Sequence, residues 1–197
     1  MGVAVWSFAY GGSNDDVATS MAPTSNNGMV ICGYTEGLTS SRDAFVTKVN
    51  SAGVLQWSRI ILTDSIEQFS DITESINGDI YATGFIDQDT MGYNVLVARL
   101  TNSGSFVWAN HYGNVGEDVG TALIEDQLGR IVVVGSTMND SVTIGSAGDQ
   151  DISMLMLNSG GAVLRRKNIG TINKEYASTI VQESANRYTV GGNVDIT

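Results

Sequence analysis

Asn26-Asn27-Gly28-Met29-Val30-Ile31-Cys32-Gly33-Tyr34 decides the fold. Asn-Gly is the strongest short hairpin signal, because a type I′ turn needs φ > 0 at its centre. The apolar run behind it is short enough to be a strand buried on both faces (strand b). Ahead of the turn, Asp16 to Ala22 alternates small and apolar residues and reads as the partner strand (strand a). A polar loop leads on to Asp43, and Ala44 to Val49 alternates as strand c. Asn50-Ser51-Ala52-Gly53 turns the chain, and Val54 to Ile60 forms strand d. Four antiparallel strands joined by hairpins make one meander.

The unit recurs in phase. Strand-b glycines stand at Gly33, Gly84, Gly135 and Gly191, spaced by 51, 51 and 56 residues. Trp6, Trp57 and Trp108 are 51 apart, with Arg165 in the fourth place, and Asp43, Asn94 and Asp151 form a third column. No segment holds apolar residues at helical spacing for three turns, and glycines interrupt every candidate. A four-stranded meander of about 50 residues in tandem is the signature of a propeller blade. The expected fold is therefore all-β, a β-propeller of three full blades and a partial fourth. The boundaries read 1–12 as a lone outer strand, 13–62, 63–113 and 114–170 as blades, and 171–197 as the partial blade.

The motif resembles the tandem propeller repeats of secreted and surface proteins, the SBBP-type repeats. The matching stretches are Trp6 to Gly12, Asp15-Asp16, Val30 to Thr35, Asp43 to Lys48 and Asn50 to Trp57. The match fades in the third and fourth units, where Arg165 replaces Trp. Kelch repeats are the runner-up; their paired glycines close strand b, whereas Gly11-Gly12 follows Trp6 here. The resemblance implies a secreted or cell-surface protein that serves as a scaffold or binding platform.

Composition narrows the partners. The 197 residues carry 21 acidic and 10 basic side chains, a net charge of −11. An acidic surface repels phosphate backbones, and Arg165-Arg166-Lys167 is the one basic cluster, so nucleic-acid binding is not expected. No apolar run reaches the length of a membrane span, so insertion is not expected either. A single cysteine, Cys32, rules out an intrachain disulfide framework. Partners are expected to be proteins or glycans meeting the rim loops, above all Thr137 to Gln150, with homo-oligomers through open blade edges.

Residues able to carry chemistry are few. His111, in strand d beside Trp108, has Ala9, Ile60 and Asn168 as its repeat counterparts and reads as a tolerated surface or interface substitution, so no catalytic residue is assigned. Cys32 reads as a small core residue in the column of Thr83, Val134 and Val190. Asp87, Asp89, Asp149 and Asp151 form two D-x-D pairs in b–c loops and are calcium candidates, since a hard cation takes oxygen ligands. No other cofactor is expected. Asn139-Asp140-Ser141 is a glycosylation sequon. Asp16, Glu67, Asp118 and Glu175 align at the start of strand a. They are the only basis for a rival reading as a carbohydrate-active enzyme or lectin, because glycoside cleavage needs paired carboxylates. The repeated glycines are expected where neighbouring blades approach closely, and the tryptophans between sheets. Asp43, Asn94 and Asp151 are expected to accept bonds from free backbone donors ahead of strand c. The incomplete fourth blade admits a fragment of a longer propeller, a two-chain ring or filament joined head to tail, or a four-bladed ring with one thin blade.

Overall fold

A computed structural model describes residues 6–36, 41–138 and 150–195. Three antiparallel sheets follow one another. Blade 1 holds β1 (Asp16–Pro23), β2 (Met29–Glu36), β3 (Arg42–Val49) and β4 (Leu55–Ile60). Blade 2 holds β5 (Glu67–Glu74), β6 (Ile80–Asp87), β7 (Tyr93–Leu100) and β8 (Phe106–Tyr112), with a 3-10 turn at Asp89–Met91 between β6 and β7. Blade 3 holds β9 (Val119–Glu125), β10 (Ile131–Thr137), β11 (Asp151–Leu157) and β12 (Val163–Ile169). The hairpin of β13 (Lys174–Ser184) and β14 (Arg187–Asp195) supplies strands a and b of blade 4. Each strand pairs with its sequence neighbour, so every sheet is the meander that the hairpin signals predicted.

The blades are held together by contacts that recur at the repeat spacing. The Trp57 indole nitrogen donates to the Asn102 carbonyl, and Trp108 to Ser159, both at 3.0 Å. Strand d of one blade is thus tied to the c–d turn of the next. The glycines of those turns, Gly53, Gly104 and Gly161, have φ of 75°, 83° and 84°, a left-handed conformation that favours glycine. A Cβ there would also press on the ring of the preceding tryptophan. Residues 6–12 join no ladder, yet Trp6 donates to the Ser51 carbonyl at 3.0 Å and the Tyr10 hydroxyl to Gly53. They hold the strand-d place ahead of blade 1. The other five residues of the expected outer strand, 1–5, lie outside the described residues.

The strand-b glycines have a different cause from the one expected. Strand a is bulged in every blade: its ladder with strand b skips Thr19, Ser70, Thr121 and Ser178. A bulge inserts one unpaired residue and bends its strand. The carbonyls of Val17, Gln68, Val119 and Tyr176 thereby press on strand b, where a Cβ on Gly33, Gly84, Gly135 or Gly192 would overlap them. The close approach comes from within the blade, not from its neighbour. The fourth member is also Gly192 rather than Gly191, whose added Cβ would meet a Thr179 methyl at 2.9 Å. The column of Cys32 therefore ends on Gly191, not Val190.

The bulged side chains reach outward. The Thr19 hydroxyl lies 2.6 Å from the Phe69 carbonyl in blade 2, and the Thr121 hydroxyl 2.7 Å from the Ala177 carbonyl in blade 4. Apolar packing follows the same geometry. Val30, Cys32 and Val46 of blade 1 meet Phe69, Ile72 and Leu96 of blade 2. Tyr81 and Val97 of blade 2 meet Leu123 and Ile131 of blade 3. The core lies between blades, so no blade shields its own faces, as expected for stacked repeats. Trp57 and Trp108 pack against these two clusters, in the place between sheets expected for them.

Candidate functional site

Two sets of polar residues compete for a functional role. The first is the acid column at the start of strand a. Each member accepts a bond from the residue four positions earlier, in the d–a connection. Asp16 takes the Gly12 amide at 2.6 Å, Asp118 the Asn114 amide at 3.0 Å and Glu175 the Thr171 amide at 3.1 Å. The Thr63 hydroxyl donates to Glu67. A short-range clamp of this kind satisfies loop donors that a buried connection would otherwise orphan.

Twenty-four residues before each junction acid stands a buried side chain at the head of strand c in the preceding blade: Asp43, Asn94 or Asp151. A Cβ on Gly113 would overlap both Asn94 and Asp118, so these two side chains converge on one point. His111 joins the same network, with Nδ1 3.4 Å from Asn94 Nδ2. Buried oxygens of Glu67, Asn94 and Asp151 have no hydrogen-bond partner. Burial pushes the Glu67 carboxyl above the usual range; the Thr63 bond pulls it down, and the nearby Asp43 charge pushes it up. The acids set out as a possible glycosidase ring thus recur between blades, each gripping its own loop.

The second set lies at the rim. A cleft of about 750 Å³ opens at the rim between blades 1 and 2. Its walls are the end of β2 (Glu36), the head of β3 (Ser41, Arg42), the d–a connection (Asp64 to Ile66), and Phe85, Asp87, Asp89 and Tyr93 of blade 2. Phe85 and Tyr93 form an aromatic pair with centroids 4.9 Å apart. Arg42 is fixed by bonds to Gln68 (3.1 Å) and Glu36 (3.2 Å), and its guanidinium lies 3.9 Å from the Tyr34 ring centroid. At the next junction the Gly116 amide donates to the Met91 carbonyl at 2.8 Å, which ties the d–a connection to the 3-10 turn.

Among the described calcium candidates, Asp151 stands apart from Asp87 and Asp89. Asp87 and Asp89 line the cleft, and Asp87 accepts the Asp89 amide at 2.9 Å. Asp151 is buried at the junction of blades 3 and 4, where its carboxylate fits against Gly170. Asp149, the sequon Asn139-Asp140-Ser141 and most of the Thr137 to Gln150 loop lie outside the described residues. Among the described residues, no group of three or more His, Cys, Asp or Glu side chains is placed to hold a metal. Cys32 is buried, and desolvation pushes its thiol up to about 12 against a weaker opposing bond from Thr19. No helix among the described residues is long and apolar enough to cross a membrane. Sequence reasoning missed both the cleft and the Ser/Thr bulge column, although Thr19, Ser70, Thr121 and Ser178 stand in phase.

Fold and repeat together define a β-repeat protein built of propeller blades. No family model matches the chain. It is similar to an uncharacterised WD repeat-containing protein, L264, of Acanthamoeba polyphaga mimivirus, with 27% identity over 93 residues. That match takes in 39% of this chain and 7% of the relative's length. A solved structure of a protein of unknown function from Bacteroides caccae aligns with a TM-score of 0.53 and 11% identity. The alignment covers 94% of this chain and 59% of that one, a likeness of fold alone.

Proposed function

We propose that the chain is a non-enzymatic propeller module, secreted or at a cell surface, that presents the cleft between blades 1 and 2 to a partner protein. One observation carries this. The recurring polar columns are engaged in blade-to-blade and loop bonds, whereas Arg42, Asp64, Phe85 and Tyr93 line one opening. Four carboxylates (Glu36, Asp64, Asp87, Asp89) against one engaged arginine favour a segment bearing basic side chains, and the aromatic pair offers it a rigid apolar face. Calcium at Asp87 and Asp89 remains a proposal for the same rim.

A basic peptide library passed over the immobilised chain tests the reading. The Asp87→Asn, Asp89→Asn variant is compared with a charge-matched control, Glu183→Gln with Asp195→Asn, on the far blade. Loss of at least tenfold in affinity in the cleft variant alone supports the proposal. Equal losses in both would reduce the binding to net charge and overturn it. A second reading is favoured by the Phe85–Tyr93 pair, since aromatic faces beside carboxylates also suit sugar rings. A glycan array with Tyr93→Ala as control separates a lectin from a protein binder.

A further inference from the structure

The junction of blades 1 and 2 brings together three side chains whose joint chemistry the next junction lacks. Lys48 on β3 is flanked across its sheet by Val30 and Trp57, and its side chain is only 1% exposed. Its Nζ lies 2.8 Å from Asn102 Oδ1, in the c–d turn of blade 2, and 3.6 Å from Glu74 Oε1 on β5. The same Glu74 oxygen accepts from Asn102 Nδ2 at 3.4 Å, while Glu74 Oε2 accepts the Ser25 amide. The Trp57 indole holds the Asn102 main-chain carbonyl at 3.0 Å, which fixes the turn that carries the carboxamide. An amine, a carboxamide and a carboxyl group thus meet at one point, and one carboxyl oxygen faces both nitrogens. The repeat counterparts at the next junction are Arg99, Ser159 and Glu125, which keep the acid but offer neither an amine nor a carboxamide.

We propose that Lys48 and Asn102 condense to an intramolecular isopeptide bond, with Glu74 carrying the protons, so that blade 1 is cross-linked to blade 2. Nζ already contacts the carbonyl oxygen whose carbon it attacks, and holding the reactants in place replaces a bimolecular collision. Glu74 Oε1 first takes a proton from the Lys48 ammonium, a transfer that removes two charges from a buried site. The freed lone pair of Nζ attacks Asn102 Cγ, and the carbonyl π electrons move onto Oδ1. Glu74 then delivers its proton to Nδ2 and takes one back from Nζ, as the Cγ–Nδ2 bond breaks and the Cγ–Oδ1 double bond re-forms. Ammonia leaves on the exposed side of Asn102 and carries that last proton away as ammonium, returning Glu74 to the carboxylate. The reaction consumes no oxidant and no second reactant. The ion-paired chain is the reactant, and the stability contributed by the Lys48–Glu74 pair belongs to that form. The product closes a loop between residues 54 apart, which restricts the unfolded chain and fixes the two blades that flank the cleft.

The intact mass of the folded full chain, compared with the mass its sequence requires, tests the proposal. Expected are a chain lighter by one ammonia and, after proteolysis, a branched peptide joining Lys48 to Asn102. Ammonia is also lost where a succinimide forms at Asn27-Gly28 or Asn77-Gly78. Hydroxylamine separates the two, because it cleaves a succinimide and leaves a secondary amide intact. Lys48→Arg and Asn102→Ala should each keep the full mass. Asn102 is an exposed turn residue, so its variant decides where Lys48→Arg fails to fold. Glu74→Gln keeps the shape but cannot carry the proton, and should form the bond at least about 100-fold more slowly. A folded chain that keeps its full mass, or loses ammonia only at the Asn-Gly steps, overturns the proposal. So does a branched peptide that persists in Asn102→Ala, since the bond then has another acyl partner.

Discussion

Lys48 Nζ lies 3.6 Å from the Glu74 carboxylate, with the two side chains 1% and 6% exposed: strand c of blade 1 is ion-paired to strand a of blade 2. The same ammonium donates to the Asn102 side chain at 2.8 Å. Arg99, at the equivalent position in blade 2, reaches the Ser159 carbonyl of blade 3 at 2.7 Å but takes its carboxylate, Asp79, from its own blade. Removing one partner of a buried pair leaves the other charge unpaired, at a cost of about 3–5 kcal/mol. Lys48→Ala should lose that much stability in urea unfolding. Lys48→Met with Glu74→Leu should lose far less, because no charge is stranded.

The bulge account separates two adjacent glycines. Gly192→Ala sets a methyl group against the Tyr176 carbonyl, a backbone atom that cannot move aside, whereas Gly191→Ala meets one flexible Thr179 side chain. Thermal melts should show the first variant destabilised and the second within about 0.5 kcal/mol, the usual range for tolerated surface changes. The opposite order would remove the bulge as the cause.

Thr121 reports on a blade-to-blade hydrogen bond. Thr121→Val should cost about 1 kcal/mol, the net contribution of a typical hydrogen bond, and Thr121→Ser should recover most of it. Chemical denaturation of the three proteins measures the difference.

Two carboxyls should give pH slopes of opposite sign. Glu67 titrates above its unfolded value, chiefly through burial, so the folded chain holds the proton more tightly. Its contribution is full below the unfolded pKa and is lost as pH rises from about 4.3 through the folded value. Burial also opposes ionisation of Asp126, but hydrogen bonds from Arg130 and Tyr188 outweigh it and lower the pKa. That contribution is present above about 3.9 and is lost as pH falls through the folded value. Glu67→Gln should abolish the first slope and leave the second; a curve unchanged by Glu67→Gln would contradict the assignment.

How far the sequence could be read follows from what each residue needs. Asn27-Gly28 and Asn77-Gly78 declare hairpins locally, and Trp6, Trp57 and Trp108 declare the period, so the meander and the blade count were legible. The strand-b glycines showed that something came close, but the cause is a bulge whose Thr or Ser looks like any other polar residue in an alternating strand. The one-residue error at Gly191 arises beyond the b–c loop of the third unit, which is six residues longer, so only the ladder fixes the register of strand b in the fourth. The cleft was less legible still. Arg42 and Tyr93 hold one repeat position, 51 apart, but carry unlike side chains, and Asp64 and Phe85 lie between them; only the stacking of blade 2 on blade 1 brings the four to one rim.

The central claim is that each tryptophan belongs to the blade after its own. Indole resonances of ¹⁵N-labelled protein test it most directly, since Trp6, Trp57 and Trp108 give three signals. Gly53→Ala, Gly104→Ala and Gly161→Ala should shift Trp6, Trp57 and Trp108 respectively, one blade back each time. A Gly104→Ala spectrum in which Trp108, on the same hairpin, moves while Trp57 stays in place would contradict it.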